Sequence, residues 1–205
     1  MEVVKVIKLS KSIGVKNILK NVTLIIRRGD RVNIYGEEGS GKTIFLKCLL
    51  DLVVRDGGTV SIFGYDPLNY REEILRRTGY IPQDTTIKTR IRLGDIIDLI
   101  HRLYIEDYKL LEELGLLELI NKDVRGLRVE YTFRLYTYMT LVKQPDLILI
   151  DDIDTKRDDK SINLLKRYID RVGATLITTS REPREILGEK RHALMDKGKL
   201  YEFPR

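Results

Sequence analysis

The 205-residue chain has a single cysteine, Cys48, so it can close no disulfide on itself. Its two histidines, His101 and His192, do not form a zinc cluster with that cysteine at finger spacing. No apolar run approaches the ~18–20 residues that a membrane-spanning helix needs. The opening MEVVKVIKLSKS alternates apolar and charged residues and lacks the apolar block of a secretory signal. There is no basic tract either. The 37 Lys and Arg exceed the 31 Asp and Glu by six, but the charges are interspersed, which describes a solvated mixed-charge surface and argues against a nucleic-acid partner. Internal repeats and low-complexity segments are also lacking. An integral membrane protein, a secreted disulfide scaffold and a fibrous chain are thereby excluded, and a reducing, cytoplasmic setting fits.

What is present is enough for one domain, at roughly 100–200 residues each. With 42% hydrophobic and 33% charged residues, a core can form. The first third reads as short strands around Val3–Ile7, Val22–Ile26 and Arg31–Tyr35, with a turn at Gly29-Asp30. Ile44, Phe45, Cys48, Leu49 and Leu52 then recur at helical spacing, and Thr59–Phe63 is a further strand. From about 70 to 142 the period is helical, and this stretch is read as an insert between two halves of an α/β core. The runs Leu147–Ile150 and Ala174–Ile177 suit strands buried on both faces of a parallel sheet. Ile162–Ile169 is an amphipathic helix, and Ala193–Met195 and Leu200–Phe203 are closing strands. The expected fold is a single α/β domain over 1–205: a P-loop NTPase with a RecA-like parallel core, an N-terminal antiparallel β subdomain and a helical insert.

The strongest chemical signal is GEEGSGKT, made of Gly36, Glu37, Glu38, Gly39, Ser40, Gly41, Lys42 and Thr43. It fits G-x-x-x-x-G-K-[ST] and lies between a strand and a helix, the context that separates the motif from coincidence. Glycines let the backbone curl so that its N–H groups face phosphate oxygens, and the helix start adds a positive dipole end. Lys42 brings a charge to the β- and γ-phosphates, and Thr43 offers a hydroxyl to Mg²⁺. Glu37 and Glu38 would repel phosphate, so their side chains are expected to point outward. The second signal is LILIDD. Asp151 ends a buried strand and is placed to hold Mg²⁺, directly or through water, while Asp152 is placed to orient the attacking water.

With these residues placed, the chain resembles the nucleotide-binding domain of ABC transporters over nearly its whole length. Gln83, in GYIPQD, is similar to the family's Q-loop glutamine, which senses the γ-phosphate through Mg²⁺ or water; RDGGTVSIFGYDP, KQPDLILIDD, Asp158 and MDKGKL match further family segments in order. The resemblance implies ATP and Mg²⁺ as cofactors. It assigns catalytic roles to Asp152, Gln83 and Lys42 and metal roles to Thr43, Gln83 and Asp151. Ile13 would stand where an aromatic residue stacks on adenine. A second ATP-binding domain, identical or different, and a separate membrane-spanning subunit are implied as partners, the latter holding the chain at the inner face of the membrane.

Three departures from the family stand out. Leu127-Arg128-Val129-Glu130-Tyr131 replaces LSGGQ, Asp152 replaces the catalytic glutamate, and Ser180 replaces the switch histidine. The resemblance therefore implies a transporter subunit that binds Mg-ATP and hydrolyses it weakly or only with a partner. Two alternatives stay open: an ATP-dependent dimerising or regulatory module with negligible hydrolysis, and a cytosolic ABC-like ATPase acting on nucleic acid. A nucleotide kinase is disfavoured, because strands precede the loop. His101 and His192 are read as packing or surface residues, Cys48 as a buried hydrophobe, and the Tyr131, Phe133, Tyr136 and Tyr138 cluster as core.

Overall fold

The structure of the protein, a computed structural model, describes residues 1–153 and 158–202. Its elements are β1 (Glu2–Ile13), β2 (Lys16–Arg27), β3 (Arg31–Tyr35), α1 (Lys42–Leu49), β4 (Gly57–Ile62), α2 (Arg71–Arg76), β5 (Thr78–Ile81), α3 (Leu93–Leu103), α4 (Tyr108–Glu113), α5 (Val129–Leu141), β6 (Leu147–Ile150), α6 (Asp159–Val172), β7 (Thr175–Ser180), β8 (Arg191–Asp196) and β9 (Lys199–Glu202). Phe203, expected in the last strand, lies outside the described residues.

Two sheets organise the chain. A three-stranded sheet has the order β2-β1-β4, with both pairings antiparallel. A six-stranded sheet has the order β5-β6-β7-β3-β8-β9, parallel except for the final β8–β9 hairpin. The alternation of apolar and polar residues in β1 and β2 gives each strand one buried and one wet face, as an antiparallel sheet allows. β6 and β7 are buried at every position, as central parallel strands require. Helix α1 buries Phe45, Leu46, Cys48 and Leu49 in the core formed by the inner faces of both sheets. A second core gathers α3, α5 and α6 around the other face of β6, with Phe133 and Tyr138 fully enclosed. Of the aromatic cluster before β6, Phe133 and Tyr138 are buried and Tyr136 packs against them, but Tyr131 is only half-buried, beneath the Arg134 guanidinium. Cys48 is a buried thiol whose pKa burial pushes up to about 11.

The stretch expected to be helical over about 70–142 needs a correction. It contains β5, which pairs in parallel with β6 and forms one edge of the central sheet. The helices α3, α4 and α5 all follow β5. This strand is only four residues long and carries Gly79, so it shows no usable alternation. The glycine serves packing: a Cβ there would come within 2.3 Å of Thr140 Cγ2 on α5.

An ion pair ties α5 to α6. Arg134 Nε and Nη2 donate to Asp158 Oδ1 at 3.0 and 2.8 Å, and Asp158 Oδ2 caps α6 by accepting from the Ser161 amide and hydroxyl. Burial works to raise the Asp158 pKa, but the hydrogen bonds from Arg134 and Ser161 outweigh it and hold the carboxyl below its usual range. A depressed folded pKa contributes stability above the ordinary carboxylate value of about 3.9, and that contribution is lost as pH falls through the folded value. Asp158→Asn is therefore expected to cost about 3 kcal/mol at pH 7, since Arg134 loses its charged partner. The gap to wild type should narrow below about pH 4 in urea denaturation curves. A pH-independent gap would contradict this account.

Candidate active site

The phosphate-type loop leaves β3 and turns into α1. Its two tightest positions admit no side chain. At Gly36 a Cβ would meet the Met195 carbonyl oxygen at 2.1 Å, and at Gly41, with φ at +113°, it would meet the Ile18 carbonyl at 3.0 Å. Gly41 caps α1, so the first N–H groups of that helix open onto the loop. Lys42 folds back along the loop, and its Nζ donates to the carbonyls of Gly36 and Glu37 at 2.6 and 2.8 Å and to Ser40 Oγ at 3.3 Å. Burial lowers the Lys42 pKa, and the carboxylates of Asp152, Asp151 and Glu37 oppose that shift. The side chains of Glu37 and Glu38 face solvent, as electrostatics requires.

The acids come from the neighbouring strands. Asp151 follows β6, is 2% exposed, and hangs its amide on the Ile81 carbonyl of β5 at 2.9 Å. A hydroxyl from β7 then fixes both acidic residues. Thr179 Oγ1 donates to Asp151 Oδ1 at 2.7 Å and accepts the Asp152 amide, also at 2.7 Å. The second oxygen of Asp151, Oδ2, is buried and has no hydrogen-bond partner in the protein. Such an oxygen is costly unless something positive faces it. Asp152 sits at φ +56°, and its Oδ2 accepts from Gln83 Nε2 at 3.1 Å.

These groups line one cavity of about 210 Å³, together with Ile18, Glu38, Gly39, Gly41, Lys42, Thr43, Ile44 and Arg181. The structure thus brings together Lys42, Thr43, Gln83, Asp151 and Asp152, although Gln83 and Asp152 are 69 residues apart in the chain. Ile13 is not among the lining residues. It lies half-exposed at the far end of β1, and the apolar side chains that line the cavity are Ile18 on β2 and Ile44 on α1. The hairpin geometry decides this, because Ile13 pairs with Lys16 at the turn while Ile18 reaches back toward Gly41.

Ser180, at the expected switch position, does not face the cavity. Its hydroxyl accepts from Asn33 Nδ2 at 3.0 Å and donates to the Glu182 carbonyl, within the buried interior. The residues expected in place of the signature motif cap and open α5 on the surface, where Arg128 pairs with Glu130 at 2.5 Å and Val129 is 55% exposed. Thr179 and Arg181 were not singled out in the sequence. Their only sequence signal is adjacency to Ser180 at the end of a buried strand.

Thr179→Val keeps the shape of the side chain but removes its hydroxyl. The Asp152 amide then loses its acceptor and Asp151 Oδ1 its donor, an expected loss of about 1–3 kcal/mol. Thr179→Ser should restore most of it. Urea denaturation of both variants provides the check.

Comparison with known proteins agrees with this architecture. A family model described as ABC transporter matches residues 19–155, more than half of the chain. The molybdate/tungstate import ATP-binding protein WtpC of Methanocaldococcus jannaschii is 30% identical over 197 residues, which cover 90% of this chain and 65% of WtpC. The ABC transporter ATP-binding protein NatA of Bacillus subtilis is 27% identical over 162 residues, covering 74% of this chain and 65% of NatA. The chain thus spans slightly less than two thirds of these two relatives. A dimeric ATP-binding cassette, solved in a post-hydrolysis state with ADP and Pi, superposes with a TM-score of 0.80 at 22% identity, covering 98% of this chain and 99% of that one. At that identity the likeness speaks for the fold. The family match and the WtpC alignment carry the assignment further: this chain is a member of the ABC transporter family, with the α/β P-loop fold of its ATP-binding subunits.

Proposed function

We propose that the chain is the ATP-binding subunit of an ABC-type transporter, that it binds Mg-ATP at the Gly36–Thr43 loop, and that it hydrolyses ATP slowly or only with a partner. The observation that carries this reading is the convergence of Lys42, Thr43, Gln83, Asp151 and Asp152 on one cavity beside a glycine cradle. The buried, unpartnered Asp151 Oδ2 suits a divalent cation. Among the described residues no three His, Cys, Asp or Glu side chains gather as a ready-made metal cage. Mg²⁺ here would take Thr43 and Asp151 from the protein, with Gln83 nearby, and the remaining oxygens from phosphate and water. Bound there, it would neutralise charge on the transferring phosphoryl group.

The chain's own residues divide the work. Loop amides and Lys42 hold the phosphates, Gln83 steadies Asp152, and Asp152 positions water. Asp is one methylene shorter than Glu, so its carboxylate falls short by roughly 1 Å, and a misplacement of that size can cost about 10²-fold in rate. The membrane-spanning part of a transport role is assigned to a separate subunit; no helix among the described residues is long and apolar enough to cross a membrane. The exposed Arg128 and Val129, with the half-buried Glu130, favour a heterodimer over a homodimer. Bulk and charge there oppose close approach to a facing phosphate, whereas this chain's loop can still pair with a different subunit carrying glycines at that position. Such an assembly would sit in the cytoplasm, against the inner face of the membrane. The substrate carried is a property of that partner.

Phosphate release by the purified chain tests the assignment. Turnover is expected to be low, to vanish in Asp152→Asn and to rise in Asp152→Glu, which restores the missing reach. Nucleotide binding without any turnover, alone or with a partner, would instead make the chain a binding module.

A further inference from the structure

The loop after β7 holds a cation that none of the roles above uses. Ser180 is turned inward, but the next residue, Arg181, lines the cavity together with Lys42, Thr43, Gln83, Asp151 and Asp152. Its Nη2 donates to Glu38 Oε2 on the phosphate-type loop at 3.3 Å. Both side chains are largely exposed, at 71% and 84%, so water screens the pair and it is easily parted.

The backbone fixes which end of the cavity Arg181 serves. The Gly36 amide donates to the Ser180 carbonyl at 3.2 Å, so Arg181 begins beside the first residue of the loop. Lys42 Nζ lies on the Gly36 and Glu37 carbonyls at that same end, and a loop lysine addresses the β- and γ-phosphates. Asp151 and Asp152 are pinned there too, through Thr179, two residues before Arg181. The Arg181 guanidinium is also close enough to Lys42 to oppose its protonation.

We propose that Arg181 is the residue by which this chain distinguishes ATP from ADP: its guanidinium leaves Glu38 and pairs with the terminal phosphate. The inference rests on the reading that the loop binds Mg-ATP. A serine hydroxyl at position 180 carries no charge, whereas guanidinium is always charged and offers a fork of donors that matches phosphate oxygens. The proposal also accounts for Glu38, a carboxylate on the rim of a phosphate site. Its charge is offset by Arg181 until phosphate takes the guanidinium, and Glu38 is then left to the solvent it already faces. No bond is made or broken; one charge-assisted pair replaces another.

Calorimetry on the full chain, with Mg-ADP and with the β,γ-imido analogue of ATP, is the test. Arg181→Ala should weaken the analogue by about ten- to a hundredfold, the range expected for a hydrogen bond to a charged group, and ADP by less than threefold. Arg181→Lys should lie between, because it keeps charge without the fork. Glu38→Gln should strengthen the analogue more than ADP. Equal losses for both nucleotides in Arg181→Ala, or no loss for either, overturns the Arg181 assignment while leaving the loop reading intact. Absence of binding by the wild type, or binding unaffected by Lys42→Ala, overturns the loop reading itself, and the Arg181 assignment falls with it.

Discussion

The site depends on the parallel pairing of β3 with β7, in which Tyr35 meets Ser180 and the Gly36 amide continues the ladder by donating to the Ser180 carbonyl. That single register sets the loop against the end of β7. Because β7 also pairs with β6, it carries Asp151 and Asp152 to the same edge. A one-residue slip would turn Thr178 and Ser180 away from Asn33 and leave buried polar groups unpaired, so the register is strongly specified. The acids, the loop and Arg181 therefore need no ligand to be brought together.

Buried polar groups hold β7 in that position. Asn33 Nδ2 donates to Thr178 and Ser180, Thr178 Oγ1 donates to Glu189 Oε1, and Glu189 Oε2 accepts from the Leu187 amide at 2.7 Å. Each of these bonds is worth only about 1 kcal/mol net, but leaving one partner unmatched costs more, so the set is satisfied together or not at all. The same network holds Ser180 away from the cavity. Its hydroxyl is committed to the interior, and the charge on that side of the cavity falls to the next residue.

Much of the fold was legible from local pattern. The runs Leu147–Ile150 and Ala174–Ile177 read as buried parallel strands because they are continuously apolar or β-branched, and both are strands of the central sheet. Helices α1 and α6 showed their buried faces as a helical period, whereas in α3 the apolar run continues onto the exposed Leu99 and Leu103, and only Leu93, Ile97 and Ile100 are buried. β5 escaped notice because four residues including Gly79 carry no period, and its place was set by Thr140 packing from α5. The loop was legible for a different reason: its glycines, Lys42 and Thr43 fall in consecutive residues at a fixed spacing, between a strand and a helix.

By itself, then, the sequence determined the phosphate-type loop, the acids at the end of β6 and the class of fold, since each is written in consecutive residues. The tertiary structure decided that Ile18 and not Ile13 walls the cavity, that Thr179 orients Asp151 and Asp152, that Gln83 reaches Asp152, and that Ser180 turns away while Arg181 faces in. These depend on strand register and hairpin geometry, which join residues far apart in the chain. No local pattern of propensity or hydrophobicity encodes which side chains such pairings will bring face to face.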